Sequence, residues 1–348
     1  MLATQTSVAP VPIELSPQMK VGWKQVIGSV EPFLQAVALR LVEQIHAFDP
    51  EIATYAEYAL TGQGKQLRPA LVALSAGATG KTNDDHVMVA VIIEMVHLAT
   101  LVHDDVMDEA DIRRGRPTLA ANWGNEVSVL LGDCLFAHSL KLAASFPTPE
   151  ICRAVASATN TVCAGEILQT QRRKYFELSK AEYFKAVSMK TGELFALSCD
   201  LGAYLSGAEA AQRAALRSYG MAIGTAYQVY DDCVDLFSTE ARAGKSLGTD
   251  LAKGKMTLPM LLMFERMESS ERAKIQAQLQ EWNPAFFPEL MRLLRNYNTL
   301  EESCRYVHQY LQGARQALSV LPMSEDRAGL LDLTGYLAQL TQALRGST

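Results

Sequence analysis

No proline interrupts the chain between Pro149 and Pro259. A proline in a helix interior costs about 3 kcal/mol, so that whole stretch is free to be helical. Its segments are rich in Ala, Leu, Glu, Lys and Gln, with apolar residues three and four apart, as in Leu194, Leu197 and Leu201. Alternating strand patterns are nearly absent. Turn signals at Thr61-Gly62-Gln63-Gly64, Gly77 to Asn83, Arg114-Gly115-Arg116-Pro117, Phe146-Pro147, Ala243-Gly244-Lys245 and Asn283-Pro284 divide the chain into about ten helices, which predicts an all-α bundle. The segments 87–108 and 214–237 are apolar on most faces and are expected at its centre. Both end in acid.

With 348 residues and no composition break or internal repeat, one helical domain is expected over 21–348. Residues 1–20 have neither a basic n-region nor an apolar core of a secretory signal, and Pro10, Pro12 and Pro17 predict a flexible arm. A net charge of −6 gives no electrostatic footprint for nucleic acid, so any anionic ligand must be met by local basic clusters. The six cysteines show no CxxC pair or metal-ligand spacing and read as buried thiols of a cytoplasmic protein. The apolar run Val87 to Val102 is broken by Glu94 and His97, which favours a buried core helix over a membrane span.

Two aspartate motifs carry the chemistry. In Asp104-Asp105-Val106-Met107-Asp108, residues four apart share a helix face, so Asp104 and Asp108 project together with Asp105 beside them. That stripe runs back through Leu101 and His97 and forward to Asp111. In the second motif Gly224, Gln228, Asp231, Asp232 and Asp235 follow one stripe. Carboxylates at a helix C-terminus are opposed by the helix dipole and repel one another, so a cation should compensate them. Mg2+ fits, since it takes oxygen ligands and is commonly held by one or two carboxylates plus substrate phosphates. Zinc is disfavoured because no Cys or His set accompanies the acids.

Basic residues bracket both motifs. Arg113, Arg114 and Arg116 follow the first, Lys245, Lys253 and Lys255 follow the second, and Lys65 and Arg68 precede a helix start. Arginine's planar fork suits phosphate oxygens, lysine supplies a point charge, and a helix N-terminus adds amide donors.

These blocks resemble the trans-isoprenyl diphosphate synthase, or polyprenyl synthetase, family of medium- to long-chain type. The resemblance runs from about Gly64 to Leu262 through GxGKxxRP, EMVHLATLVHDDVMDEADIRRGRPT, GDCLFA, AGEILQ, MKTGELF, GTAYQVYDDCVD and GKSLGTDLAKGKMTLP. It implies a large orthogonal helical bundle around a deep central cavity, an isoprenoid synthase-like fold, normally a homodimer. It implies that Asp104, Asp105 and Asp108 bind Mg2+ on an allylic diphosphate and that Asp231, with Asp232 and Asp235, binds a further ion. Arg113, Lys190 and Lys245 would hold the allylic diphosphate. Lys65, Arg68, His97 and Arg114 would hold isopentenyl diphosphate, Thr191 and Gln228 would line the reacting carbons, and Lys255 would assist at the substrate. Gln66, Gln63, Gly192 and Tyr227 stand where the family usually has Arg, Gly, Ala and Phe, and none of these removes an expected ligand.

The implied reaction ionises the allylic diphosphate with metal and cationic help, joins the cation to the double bond of isopentenyl diphosphate, and loses a proton to the released diphosphate. Small Ala99 and Thr100 beneath Asp104 imply an open channel and a hexaprenyl to decaprenyl product for a quinone side chain. A deeper floor, such as Phe136 or Met95, would instead stop the chain at twenty or twenty-five carbons, and a synthase of geranylgeranyl or farnesyl length is the alternative. An apolar product implies transient membrane contact on release. A class I terpene cyclase and a non-catalytic subunit of a heteromeric synthase are the competing readings; the second aspartate motif and the second basic cluster argue against the first, and the retained ligands against the second.

Overall fold

The apolar run at Val87 is one long helix, and the rest of the fold is arranged around it. In the computed structural model, residues 22–60, 64–238 and 247–346 are described. The arm over 1–20, Gln63 and Lys245 lie outside them. In chain order the helices are α1 (Trp23–Ile27), α2 (Glu31–Ile45), α3 (Pro50–Leu60), α4 (Leu67–Thr79), α5 (Asp84–Met107), α6 (Leu119–Ala144), α7 (Glu150–Gln171), α8 (Lys180–Val187), α9 (Glu193–Leu205) and α10 (Ala210–Phe237). Then come α11 (Thr249–Ala252), α12 (Leu258–Arg266), α13 (Ser269–Gln280), α14 (Phe287–Asn296), α15 (Thr299–Ala317) and α16 (Glu325–Arg345).

Helix α5 starts at a capping box in which Asn83 Oδ1 accepts from His86 N (3.2 Å) and His86 Nδ1 accepts from Asn83 N (3.1 Å), so two orphan amides of the first turn are satisfied. From there it runs through a cluster built with α2, α6 and α7, in which Val89, Ile92, Ile93 and Met95 are fully buried. A second cluster is built on α10, with α4, α9, α12, α15 and α16 around it. As expected, the two acid-ending helices are central.

Glycines set how closely the inner helices approach. A Cβ at Gly220 would strike the Phe195 carbonyl oxygen, and one at Gly165 would meet Lys190 N and Met189 Cβ at 2.8 Å, so α10 packs directly on α9, and α7 on the segment before α9. That segment, Ser188–Gly192, is a π-helical turn joining α8 to α9 without a break. Such turns insert one residue into a helix and re-aim side chains, and they favour functional sites.

The strand patterning missed a small element. Ile112–Arg113 (β1) and Arg116–Pro117 (β2) form an antiparallel ribbon with Arg113 opposite Arg116, closed by Arg114 and Gly115, both at positive φ. Two-residue strands are too short to alternate visibly. By length and composition α5 and α6 could each cross a membrane; most of that stretch of α5 is buried in the core, whereas α6 leaves Val129 and Leu130 exposed. All six thiols are free; Cys199, Cys233 and Cys304 are buried as expected, whereas Cys134 and Cys152 are half-buried and Cys163 is exposed.

Candidate active site

A cavity of about 980 Å3 opens where α5, α7, α9 and α10 end or bend. Its body is apolar, with Leu98, Leu101, Val102, Leu119 and Leu194 in the wall, and its mouth is charged. From the first motif Asp104, Asp105 and Asp108 line it, and Asp231 of α10 lines it as well. The expected Lys65, Arg68, His97, Arg113 and Arg114 are there, as are Lys190, Thr191, Gln228 and Lys255.

Asp108 is not on the helix proper. It is the C-cap of α5, its backbone having left helical geometry at φ −93°, ψ 1°. Each aspartate of the motif has its own cation. Arg113 Nε donates to Asp105 Oδ1 at 2.7 Å, Lys190 Nζ lies 3.4 Å from Asp104 Oδ2, and Lys255 Nζ donates to Asp108 Oδ2 at 2.7 Å. Burial works to raise Asp108, but Lys255, Lys253 and Lys190 outweigh it and hold its carboxyl below the usual range. At Asp105 burial wins against Arg113, and the pKa is raised.

The π-helical turn aims Lys190 and Thr191 into the site. Lys190 also pairs with Glu166 of α7 and donates to Gln169 Oε1 at 3.2 Å. Burial disfavours its ammonium, yet Asp104 and Glu166 prevail and its pKa is raised. Thr191 Oγ1 donates to Gln228 Oε1 (2.8 Å), and Gln228 Nε2 donates to Asp232 Oδ1 (2.9 Å). Tyr183 donates to the other oxygen of Asp232 at 2.5 Å. This chain fixes which end of the Gln228 amide faces Thr191.

Across the mouth, Arg68 lies in the first turn of α4 with its guanidinium over the Phe195 ring, 5.0 Å from the centroid. Arg68 Nε is buried with no hydrogen-bond partner among the described residues. Burial, then Arg68, Arg114 and Arg113, push His97 well below its ordinary pKa, so it is a neutral imidazole beside the arginines. Lys65 Nζ donates to Tyr336 Oη at 2.9 Å.

Three expected positions are re-assigned. Asp232 is buried about 100° round the helix from Asp231 and faces Tyr183 rather than the cavity, which it does not line. Asp235 is fully buried a turn further on, outside the cavity wall; its carboxylate accepts from Thr249 Oγ1 (2.7 Å) and Asp250 N (3.2 Å), and so anchors the start of α11. Ala99 is buried in the core and does not line the cavity, whereas Thr100 and Phe136 do. Helix geometry gives the reason: Thr100 sits about 40° and Ala99 about 140° from the azimuth of Asp104. Residues not singled out from sequence also belong here. Glu94, raised by burial against Arg68 and Arg114, and Glu166, raised by burial and by Asp104, both line the cavity. Glu94 left a trace in the sequence, as an acid inside an apolar run.

The donors suit a hard divalent ion. Among the described residues no three His, Cys, Asp or Glu side chains converge to hold one unaided, so the protein offers single carboxylates from α5 and α10 and leaves the remaining positions to ligand oxygens and water.

An all-α bundle with a charged mouth and an apolar body defines the class: an enzyme for a ligand with an anionic head and a long apolar tail. The family model for polyprenyl synthetase matches residues 49–285, and the chain belongs to that family. It is 32% identical over 309 residues to an octaprenyl diphosphate synthase of Haemophilus influenzae, covering 88% of this chain and 94% of the relative. It is 34% identical over 317 residues to heptaprenyl diphosphate synthase component 2 of Geobacillus stearothermophilus, covering 88% of this chain and 98% of that one. A polyprenyl synthase from Caulobacter crescentus, solved in complex with calcium and isoprenyl diphosphate, superimposes with a TM-score of 0.87 at 30% identity, covering 92% of this chain and 99% of that chain.

The re-assignment of Asp235 is testable. Asp235→Ala leaves the Thr249 hydroxyl and the Asp250 amide unpaired, and urea denaturation should show a loss of about 1–3 kcal/mol. Parental stability would show that the carboxylate is not the anchor of α11.

Proposed function

We propose that the protein is a Mg2+-dependent prenyltransferase that condenses isopentenyl diphosphate with an allylic prenyl diphosphate. The product is an all-trans polyprenyl diphosphate of hexaprenyl to decaprenyl length, serving as a quinone side chain. One observation carries this reading: a single apolar cavity is lined by two sets of cations, Arg113, Lys190 and Lys255 on the α5 carboxylates and Arg68 and Arg114 beside His97. Two diphosphates are accommodated at once, which a terpene cyclase does not need.

In this reading Arg113 and Lys190 hold the allylic diphosphate, with Lys255 beside them and Lys245 outside the described residues. Mg2+, bound by Asp104 and Asp108 and by Asp231, would neutralise charge developing on the leaving group. Lys65, Arg68 and Arg114 hold isopentenyl diphosphate, and neutral His97 can donate to it without adding charge. Thr191 and Gln228, locked by Asp232 and Tyr183, present oxygens near the reacting carbons. The apolar wall keeps water from the allylic cation. A proton passes to the departing diphosphate.

The cavity lies near the top of the roughly 300–1,000 Å3 range of ligand pockets, which suits a long tail. Thr100 and Phe136 both line the cavity, and the Phe136 ring lies 5.6 Å from that of His103.

A homodimer through α6 completes the proposal. Glu126, Leu130, Asp133, Ala137 and Lys141 form one exposed stripe. An antiparallel two-fold pairing sets Glu126 against Lys141 of the second copy and Leu130 against Ala137, the self-complementarity that such an interface requires. Sedimentation should give about twice the chain mass of 38.1 kDa, and Leu130→Asp should halve it. A monomeric parent would remove α6 as an interface.

Purified protein with Mg2+, labelled isopentenyl diphosphate and farnesyl diphosphate should yield elongated products of thirty carbons or more. Chelation should abolish turnover, and Asp104→Ala should lower it about 100-fold or more. A twenty-carbon product would overturn the chain length, a cyclic hydrocarbon made without isopentenyl diphosphate the reaction class, and activity only with a second subunit the self-sufficient enzyme.

Product mass also reads the wall. Thr100→Phe should shorten the product, since the ring enters the cavity. Ala99→Phe should instead overpack the core by about 1–3 kcal/mol, seen in the denaturation midpoint. Unchanged length in Thr100→Phe would place the growing chain elsewhere.

A further inference from the structure

Arg173 lies in the segment after α7, carries no recognisable motif, and does not line the cavity. It nevertheless reaches the end of α5. Its Nη2 donates to Asp108 Oδ1 at 2.8 Å, and both terminal nitrogens lie 3.4 Å from the Met107 carbonyl oxygen. Its Nε is buried with no hydrogen-bond partner among the described residues, so the guanidinium is oriented by Asp108 and the helix end at the expense of a donor. Lys253, from the segment after α11, donates to the Asp108 carbonyl oxygen. The two segments are tied together by Lys174 N donating to Gly254 O at 2.7 Å, and Lys174 Nζ donates to Gln280 O at the end of α13 at 2.7 Å.

The two oxygens of Asp108 therefore have different partners. Oδ1 is held by Arg173, which approaches from outside the cavity, and Oδ2 meets Lys255, which lines it. We infer that Arg173 is the positioning residue of Asp108: it fixes the plane of the carboxylate so that Oδ2 stays on the cavity side, where Lys255 gives way to an incoming ion. Partners that orient a ligating side chain are typically worth 10–100-fold in metal affinity. Lys253 has a different task. It touches the backbone of Asp108 rather than its carboxylate, and neutralises the carbonyl end of the helix.

This inference rests on the reading of Asp108 as a metal-binding carboxylate, and the test separates the two. The melting temperature is followed during a Mg2+ titration at fixed inorganic diphosphate, with no isoprenoid present. The parent protein should be stabilised with a defined Mg2+ midpoint. Arg173→Met should move that midpoint upward about tenfold or more, and Arg173→Lys should recover part of the shift. Lys174→Met, which removes the tie to Gln280 O outside the site, should lower the melting temperature of the metal-free protein and leave the midpoint in place. An Arg173→Met protein that melts earlier but keeps the parental midpoint makes Arg173 a helix cap alone and overturns the inference, while the reading of the aspartates stands. A parent indifferent to Mg2+ and diphosphate overturns both.

Discussion

Asp104, Asp105 and Asp108 crowd the last turn of α5, where the helix dipole already places roughly half a negative charge. The helix is buried for most of its length, so its register is fixed from behind and the acids cannot spread apart. Four segments that reach this point bring cations. The β1–β2 ribbon supplies Arg113, the π-helical turn Lys190, the segment after α7 Arg173, and the segment after α11 Lys253 and Lys255. Distant stretches of chain thus converge on one helix end because its charge has to be balanced where water is scarce. The cavity mouth is what this convergence leaves open.

Close backbone packing brings those segments within reach. The main chain of the π-helical turn lies against Gly165 so tightly that a Cβ there would have no room, and this contact carries Lys190 to Asp104 and Glu166. Thr191, the next residue, then finds Gln228 on α10. Packing of three helices and the hydrogen-bond chain ending at Asp232 and Tyr183 are one arrangement, since Asp232 can be buried only while both donors remain in place.

What the sequence makes legible follows from what is local. The absence of proline over 150–258 and the three- and four-residue spacing of apolar residues announce helices, and acid at the end of an apolar helix announces a charged site. The ribbon arginines and the lysine after the second motif are legible as basic clusters beside it. A stripe of acids does not say which side of it meets a cavity. Asp231, Asp232 and Asp235 look equivalent along the chain, yet Tyr183 claims one and Thr249 another, and those partners are contributed by α8 and α11. The π-helical turn is equally hidden, since its extra residue is stabilised by contacts with α7 and not by a local signal. Arg173 is 65 residues from Asp108, and nothing in its neighbourhood marks the meeting. Ala99 is a different case: its azimuth follows from helix geometry alone, and adjacency in sequence was the misleading cue.

The chain has a net charge of −6 and a cavity suited to polyanions, and the ion pairs at the mouth reconcile the two. With Asp105, Asp104 and Asp108 each paired to a cation, the field at the opening is set by local pairs and not by the total charge. In the proposed reaction a diphosphate arriving with divalent ions would exchange partners with these pairs: the ions would take the carboxylates, and the released lysines and arginines would face phosphate oxygens. Little net charge is buried at any stage, so the desolvation penalty of each new pair is offset by one that is dissolved. Arg68 and Arg114 lie instead against Glu94, whose carboxyl is raised by burial, so their side of the mouth is balanced by a single buried acid from the body of α5 and not by the motif at its end. The two sides of the mouth are therefore built on different terms. In the proposed reaction the first would respond to metal and phosphate together, and the second to an anion that arrives without metal.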